Sequence, residues 1–177
     1  SMLTPDSQRQ LIGRTTLFSG LAAADLAAIA AEVREVKFDA GQLIFSRGDA
    51  GNEVYLVAEG RVRLSILTGE GRELSFALVG LEQWFGEIAM LDGAERTADA
   101  TAVTRVVALS LSKAAYQRAA ASRPAVGEAM TRFLCKRLRE ADQQLETIAL
   151  YPIEGRLARF FLASANQKGG KDKAGKD

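Results

Sequence analysis

The chain has 177 residues and a mass of 19.0 kDa, with 47% apolar residues, 25% charged residues and a formal net charge of +1. That length fits one domain, or one domain with a short appendage, and the composition excludes disorder, collagen-like repeats and mucin-like stalks. Histidine is absent and Cys135 is the single cysteine, which excludes imidazole-based triads, zinc sites and cysteine-ligated iron–sulfur clusters built from this chain.

The first element is an alanine-rich segment, Leu21 to Val33, in which Leu21, Leu26, Ile29 and Val33 recur at near-helical spacing after Ser19 and Gly20. It predicts a short amphipathic helix. The period then changes to two. Val36 and Phe38, Leu43 and Phe45, and Val62, Leu64 and Ile66 mark half-buried strands, with turn signals at residues 39–41, 47–51, 59–60 and 68–71. Strand-like patterning resumes at Leu74 to Val79, Ala98 to Ala102 and Arg105 to Leu111. Short strands at this spacing predict an antiparallel sandwich or barrel.

From Ser112 the pattern is helical. Leu134, Leu138, Ala141, Leu145 and Ile148 are separated by steps of 4, 3, 4 and 3, a coiled-coil seam of about two heptads. A helix lying on its own barrel gives the same stripe. The strict phase and the flanking charges Arg137, Arg139 and Glu140 favour pairing between two copies. Tyr151-Pro152 interrupts this helix, a further helix is expected over Ile153 to Ala165, and the Gly-, Lys- and Asp-rich end is expected to be disordered. The expected divisions are therefore 1–124 (β-rich domain with N-terminal helices), 125–151 (long helix), 152–165 (a further helix) and 166–177 (tail).

The stretch that carries chemistry is the interruption between strands, Phe85-Gly86-Glu87-Ile88-Ala89-Met90-Leu91-Asp92-Gly93-Ala94-Glu95-Arg96-Thr97-Ala98. Gly86 allows close backbone approach, a short helix starting at Glu87 aims unpaired amides outward, and Arg96 returns ten residues after the glycine. Amides at a helix start with a guanidinium suit a phosphate, and an ionised Glu87 suits sugar hydroxyls. Taken singly, Gly86 reads as a turn residue, Arg96 as a surface charge and Glu87 as a first-turn acid. Their order between two strands is what makes an anion site the better reading.

That order closely resembles the phosphate-binding cassette of the cyclic nucleotide-binding domain superfamily. The segment from Gly41 to Val57 and the Gly60 turn resemble the family's first barrel signature, and the long helix with Gly155-Arg156-Leu157-Ala158 resembles the CRP/FNR family of bacterial transcription regulators. The resemblance implies a mainly β fold with flanking helices, a double-stranded β-helix or jelly roll (β-roll), followed by a long dimerisation helix. It implies that Arg96 pairs with the cyclic phosphate, that Thr97 and the amides after Gly86, at Glu87 and Ile88, touch it too, with Ala98 closing the motif, and that Glu87 accepts from the ribose 2'-hydroxyl. Arg137 matches a helix arginine that helps at the phosphate. At the adenine-reading positions of the helix this chain has Ala141-Asp142, a departure that leaves cAMP as the first ligand and cGMP as the second.

The expected function is thus the effector-binding and homodimerisation part of a CRP/FNR-like regulator, a switch and not an enzyme, needing no cofactor or metal. The basic excess is confined to the C-terminal part, with 13 basic and 15 acidic residues up to Ala125 and 10 and 7 after it, too little for an autonomous DNA binder. DNA contact is expected only through a helix-turn-helix that would follow Ala165 and is absent from this chain. Ser1 before Met2 has the form of a tag remnant. With no apolar run near the roughly 18 residues of a membrane span and no secretory signal, a cytoplasmic location is expected. Three rivals remain: a module of a channel, kinase or transporter, a ligand-free dimer scaffold, and a cupin enzyme, which would need histidine ligands.

Overall fold

In the computed structural model, which describes residues 3–150 and Leu162, the chain divides into two units that meet within one helix, between Phe133 and Leu134. The predicted helix at Ile153–Ala165, the Gly155-Arg156-Leu157-Ala158 motif and the tail lie outside the described residues, apart from Leu162.

The first unit begins with α1 (Pro5–Arg14) and α2 (Ala23–Ala30). The periodicity of Leu21 to Val33 marks α2, whereas α1 carries a signal of another kind. Thr4 caps it by accepting from the Ser7 amide at 3.1 Å, Pro5 opens the first turn and Arg14 sits in the last. The strands follow as β1 (Arg34–Phe38), β2 (Leu43–Phe45), β3 (Glu53–Glu59), β4 (Val62–Leu67), β5 (Glu73–Val79), β6 (Trp84–Phe85), β7 (Asp99–Ala102) and β8 (Val106–Ser112), with α3 (Glu87–Asp92) between β6 and β7. They form two four-stranded sheets, ordered β1-β8-β3-β6 and β2-β7-β4-β5, with antiparallel pairing throughout the described ladders. This is the predicted β-roll.

Between the sheets lies a core of Val57 and Phe85 with Val106 and Ala108 from one side and Val62, Val79, Ala100 and Ala102 from the other. Alternation holds along β7, where Ala100 and Ala102 are buried and Asp99 and Thr101 only half so. It fails along β8, which is buried on both faces: Val106 and Ala108 enter the inter-sheet core while Val107, Leu109 and Leu111 are buried on the opposite face of the strand. β3 reads the same way, with Val54, Leu56 and Val57 all at zero exposure, so period two does not reveal it. In β2 a register shift between Leu43 and Phe45 corrects the expectation of two half-buried partners: Phe45 turns inward and Leu43 faces solvent. β6 turns Phe85 into the core and Trp84 onto Phe18, edge to face at 5.7 Å.

The helical stretch after Ser112 is two helices. Ser112 caps α4 (Lys113–Ser122) by accepting from the Ala115 amide, and Arg123 takes an extended conformation before Pro124 opens α5 (Pro124–Leu150). Val126, Ala129 and Met130 of α5 are buried. In the second unit the seam residues are largely exposed on the single chain, at 65% for Leu138, 63% for Leu145 and 60% for Ile148; Ala141 is exposed as well and Leu134 is half-buried.

Candidate functional site

The site is built around Arg96, which precedes β7 and is only 4% exposed. Its main chain is clamped to the loop after β2: the Arg96 amide donates to the Asp49 carbonyl at 2.8 Å, its carbonyl accepts from the Gly48 amide at 2.9 Å, and Ala50 bridges Glu95. That loop is itself fastened, the Ser46 amide donating to the Asp49 carboxylate at 3.0 Å and the Arg47 amide to the Asp99 carboxylate at 2.7 Å.

The guanidinium reaches inward. Nη1 donates to the Gly86 carbonyl at 2.9 Å and Nη2 to the Glu53 carbonyl at 2.8 Å, while the planar group lies over the Phe45 ring, 4.1 Å from its centroid. Phe45 in turn stacks with Tyr55 and packs on Phe85. Two glycines make room for this side chain. A Cβ at Gly51 would stand 2.6 Å from Arg96 Nε and 2.5 Å from the Ala89 Cβ, and one at Gly86 would stand 2.6 Å from Nη1. Gly86 also has φ +85, which turns the chain sharply from β6 into α3 and presents its carbonyl to the arginine.

Burial lowers the pKa of the Arg96 guanidinium, while Tyr55, Glu53, Asp49 and Glu87 act in the opposite direction; it stays a cation. Of its five N–H groups two are committed, and buried Nε has no partner among the described residues. A buried cationic donor left unsatisfied is costly, and an anion supplying a lone pair there removes the cost. Glu87, the first residue of α3, is also 4% exposed, and no side chain caps this helix among the described residues. Ala98 is buried, whereas Ile88 and Thr97 are exposed, Thr97 beside the arginine in sequence.

The structure therefore brings Gly86, Glu87, Ile88, Arg96, Thr97 and Ala98 together in the first unit. Arg137 and Asp142 belong to α5 in the second unit, where both are exposed. Sequence reasoning did not single out Phe45, Gly51 and Glu53 as site residues. Gly51 carried the one usable signal, a glycine beyond what the Gly48 turn needs; a stacking ring and a backbone carbonyl have none.

Comparison with known proteins agrees with this geometry. The model of the cyclic nucleotide-binding domain matches residues 35–123. The chain is 29% identical over 160 residues to a CRP-like cAMP-activated global transcriptional regulator of Mycobacterium tuberculosis, covering 90% of this chain and 71% of that one. It is 34% identical over 151 residues to the cyclic AMP receptor protein of Thermus thermophilus, covering 85% and 70%. Among solved structures it superposes on the N-terminal domain of a transcriptional regulator from Streptomyces coelicolor A3(2) with a TM-score of 0.68 at 34% identity, over 76% of this chain and 94% of that one. The clamped arginine in a glycine-framed cassette, the two-sheet roll and a likeness running well beyond the matched domain agree: this chain belongs to the cyclic nucleotide-binding domain family, with CRP-like transcription regulators as its relatives.

Proposed function

We propose that this chain is the cyclic nucleotide-sensing module of a CRP-like transcription regulator, taking cAMP first and cGMP second. The observation that carries the reading is the buried Arg96 Nε without a partner, in a cassette whose other two guanidinium nitrogens are already anchored. In this reading the phosphate takes Nε and the remaining N–H groups of Arg96, a contribution of about 1.5–3 kcal/mol for a charge-assisted bond. The first amides of α3, at Glu87 and Ile88, and the Thr97 hydroxyl complete the phosphate shell, with buried Ala98 closing the motif. Glu87 accepts from the ribose 2'-hydroxyl, Arg137 assists at the phosphate and Asp142 reads the base.

Two copies pair through Leu134, Leu138, Ala141, Leu145 and Ile148, and the ligand biases that packing, so that binding becomes a signal to DNA-contacting parts. The module works in the cytoplasm as a switch, not a catalyst. No helix among the described residues is long and apolar enough to cross a membrane. The test is calorimetric titration of the purified chain with cAMP and cGMP. Saturable binding of at least one, with cAMP tighter, is the expected result; a folded chain that binds neither overturns the proposal.

A further inference from the structure

Glu53 meets Arg96 in two different ways. Its main-chain carbonyl accepts from Nη2 at 2.8 Å and so fixes the guanidinium. Its carboxylate lies 3.8 Å from the same nitrogen, beyond hydrogen-bond distance but close enough to act as a charge, on a side chain that is 44% exposed. The backbone therefore holds the arginine, while the side chain acts on it as a charge and also meets the Tyr55 hydroxyl.

Two more carboxylates act on that guanidinium, Asp49 and Glu87. Asp49 is tied to its loop through the Ser46 amide, and Glu87 is buried at the start of α3. Glu53 is the half-exposed member of the three, two residues before Tyr55 and on the same face of β3. Burial pushes the Tyr55 hydroxyl up, and the adjacent Glu53 charge adds to that, so the hydroxyl stays neutral beside the carboxylate. An anion arriving at Arg96 meets a cation already surrounded by negative charge.

Building on the cyclic nucleotide reading, we propose that Glu53 sets the anion affinity of this site: its carboxylate is a built-in competitor for Arg96 that a phosphate-bearing ligand must displace or tolerate. The phosphate is common to cAMP and cGMP, so the effect does not depend on the base. Removing the charge while leaving the backbone carbonyl in place strengthens binding, an outcome opposite to that of damaging a positioning residue.

The experiment titrates the wild-type chain, Glu53→Gln and Glu53→Thr with cAMP and with cGMP at low and high salt, with thermal unfolding as the fold control. Threonine suits a strand and covers the case in which the glutamine variant does not fold. The expected result is that either folded variant binds both nucleotides about threefold to tenfold tighter than wild type, with faster association and a smaller difference at high salt. Unchanged or weaker binding in a folded variant, a gain for one nucleotide alone, or failure of both variants to fold overturns it while the function stands, provided the wild type binds. If the folded wild type binds neither nucleotide, the cyclic nucleotide reading falls and this proposal with it.

Discussion

Replacing Arg96 with leucine tests the site and the fold in one protein. The substitution leaves the part-buried Gly86 and Glu53 carbonyls without the donors they have at 2.9 and 2.8 Å, at a cost of up to about 1–3 kcal/mol each, the range for a fully buried acceptor. Against this, the leucine relieves a 4%-exposed cation of its desolvation cost and keeps some apolar contact with Phe45. The net expectation is about 2 kcal/mol of destabilisation, or a fall in Tm of about 4–8 °C for a chain of this size. Binding of cAMP should fall at least about tenfold, since a charge-assisted bond contributes about 1.5–3 kcal/mol and about 1.4 kcal/mol is tenfold. Trp84, the single tryptophan, directly precedes Phe85 and the cassette and reports unfolding by fluorescence, with calorimetry on the same sample. Arg96→Lys keeps the charge without the planar fork, so it should recover part of the affinity and little of the stability. An unchanged Tm refutes the structural role assigned to the guanidinium, and unchanged affinity in the folded leucine variant refutes the phosphate cradle.

Gly51→Ala should lower both Tm and cAMP affinity, because its methyl group would stand 2.5 Å from the Ala89 Cβ and 2.6 Å from Arg96 Nε; a variant with wild-type calorimetry would mean that the loop yields freely. Leu138→Glu should convert a dimer to monomers, since a charge at a central seam position is costly unless paired; light scattering that finds the wild type monomeric at tens of micromolar removes the seam. Asp142→Ala should change the ratio of cAMP to cGMP affinity, and equal losses for both, or none, would leave Asp142 without a role at the base.

The sequence displays those parts of the fold where one face is wet. β7 shows its alternation because one side meets the opposite sheet and the other stays partly open. β3 and β8 are covered on both sides; β8 was still legible as a strand over Arg105 to Leu111, whereas β3 is bracketed only by the flanking turns at 47–51 and 59–60. α1 was legible from Thr4-Pro5-Asp6, a capping signal and not a periodic one, and a reading that follows apolar spacing passes over it. The bulge in β2 is illegible for a different reason: Leu43-Ile44-Phe45 is apolar throughout, so nothing in the composition says which of the three faces in. At the site, the spacing of Gly86, Glu87 and Arg96 was enough to pick out the turn and the arginine that the fold joins. What the arginine holds onto was not available, because its acceptors are backbone carbonyls at Gly86 and Glu53, and any residue type carries one.

Those acceptors explain why a single side chain can serve as both fastener and receptor. Arg96 joins three segments: β3 through the Glu53 carbonyl, the β6–α3 turn through the Gly86 carbonyl, and the loop after β2 through the Gly48 and Asp49 main chain. An anion on Nε therefore acts on a group whose geometry all three segments share. The first residues of α3 feel it most directly, since Gly86 precedes them and Ala89 packs against Gly51 at a distance that leaves no room for a methyl group. A ligand shifts a conformational balance only by as much as it prefers one arrangement, and under the proposed function that preference would arise at the guanidinium that also binds the cradle's main chain. Leucine at position 96 removes the ligand contact and the fastening together, whereas a neutral residue at position 53 keeps the fastening, and that contrast is what separates receptor from fastener.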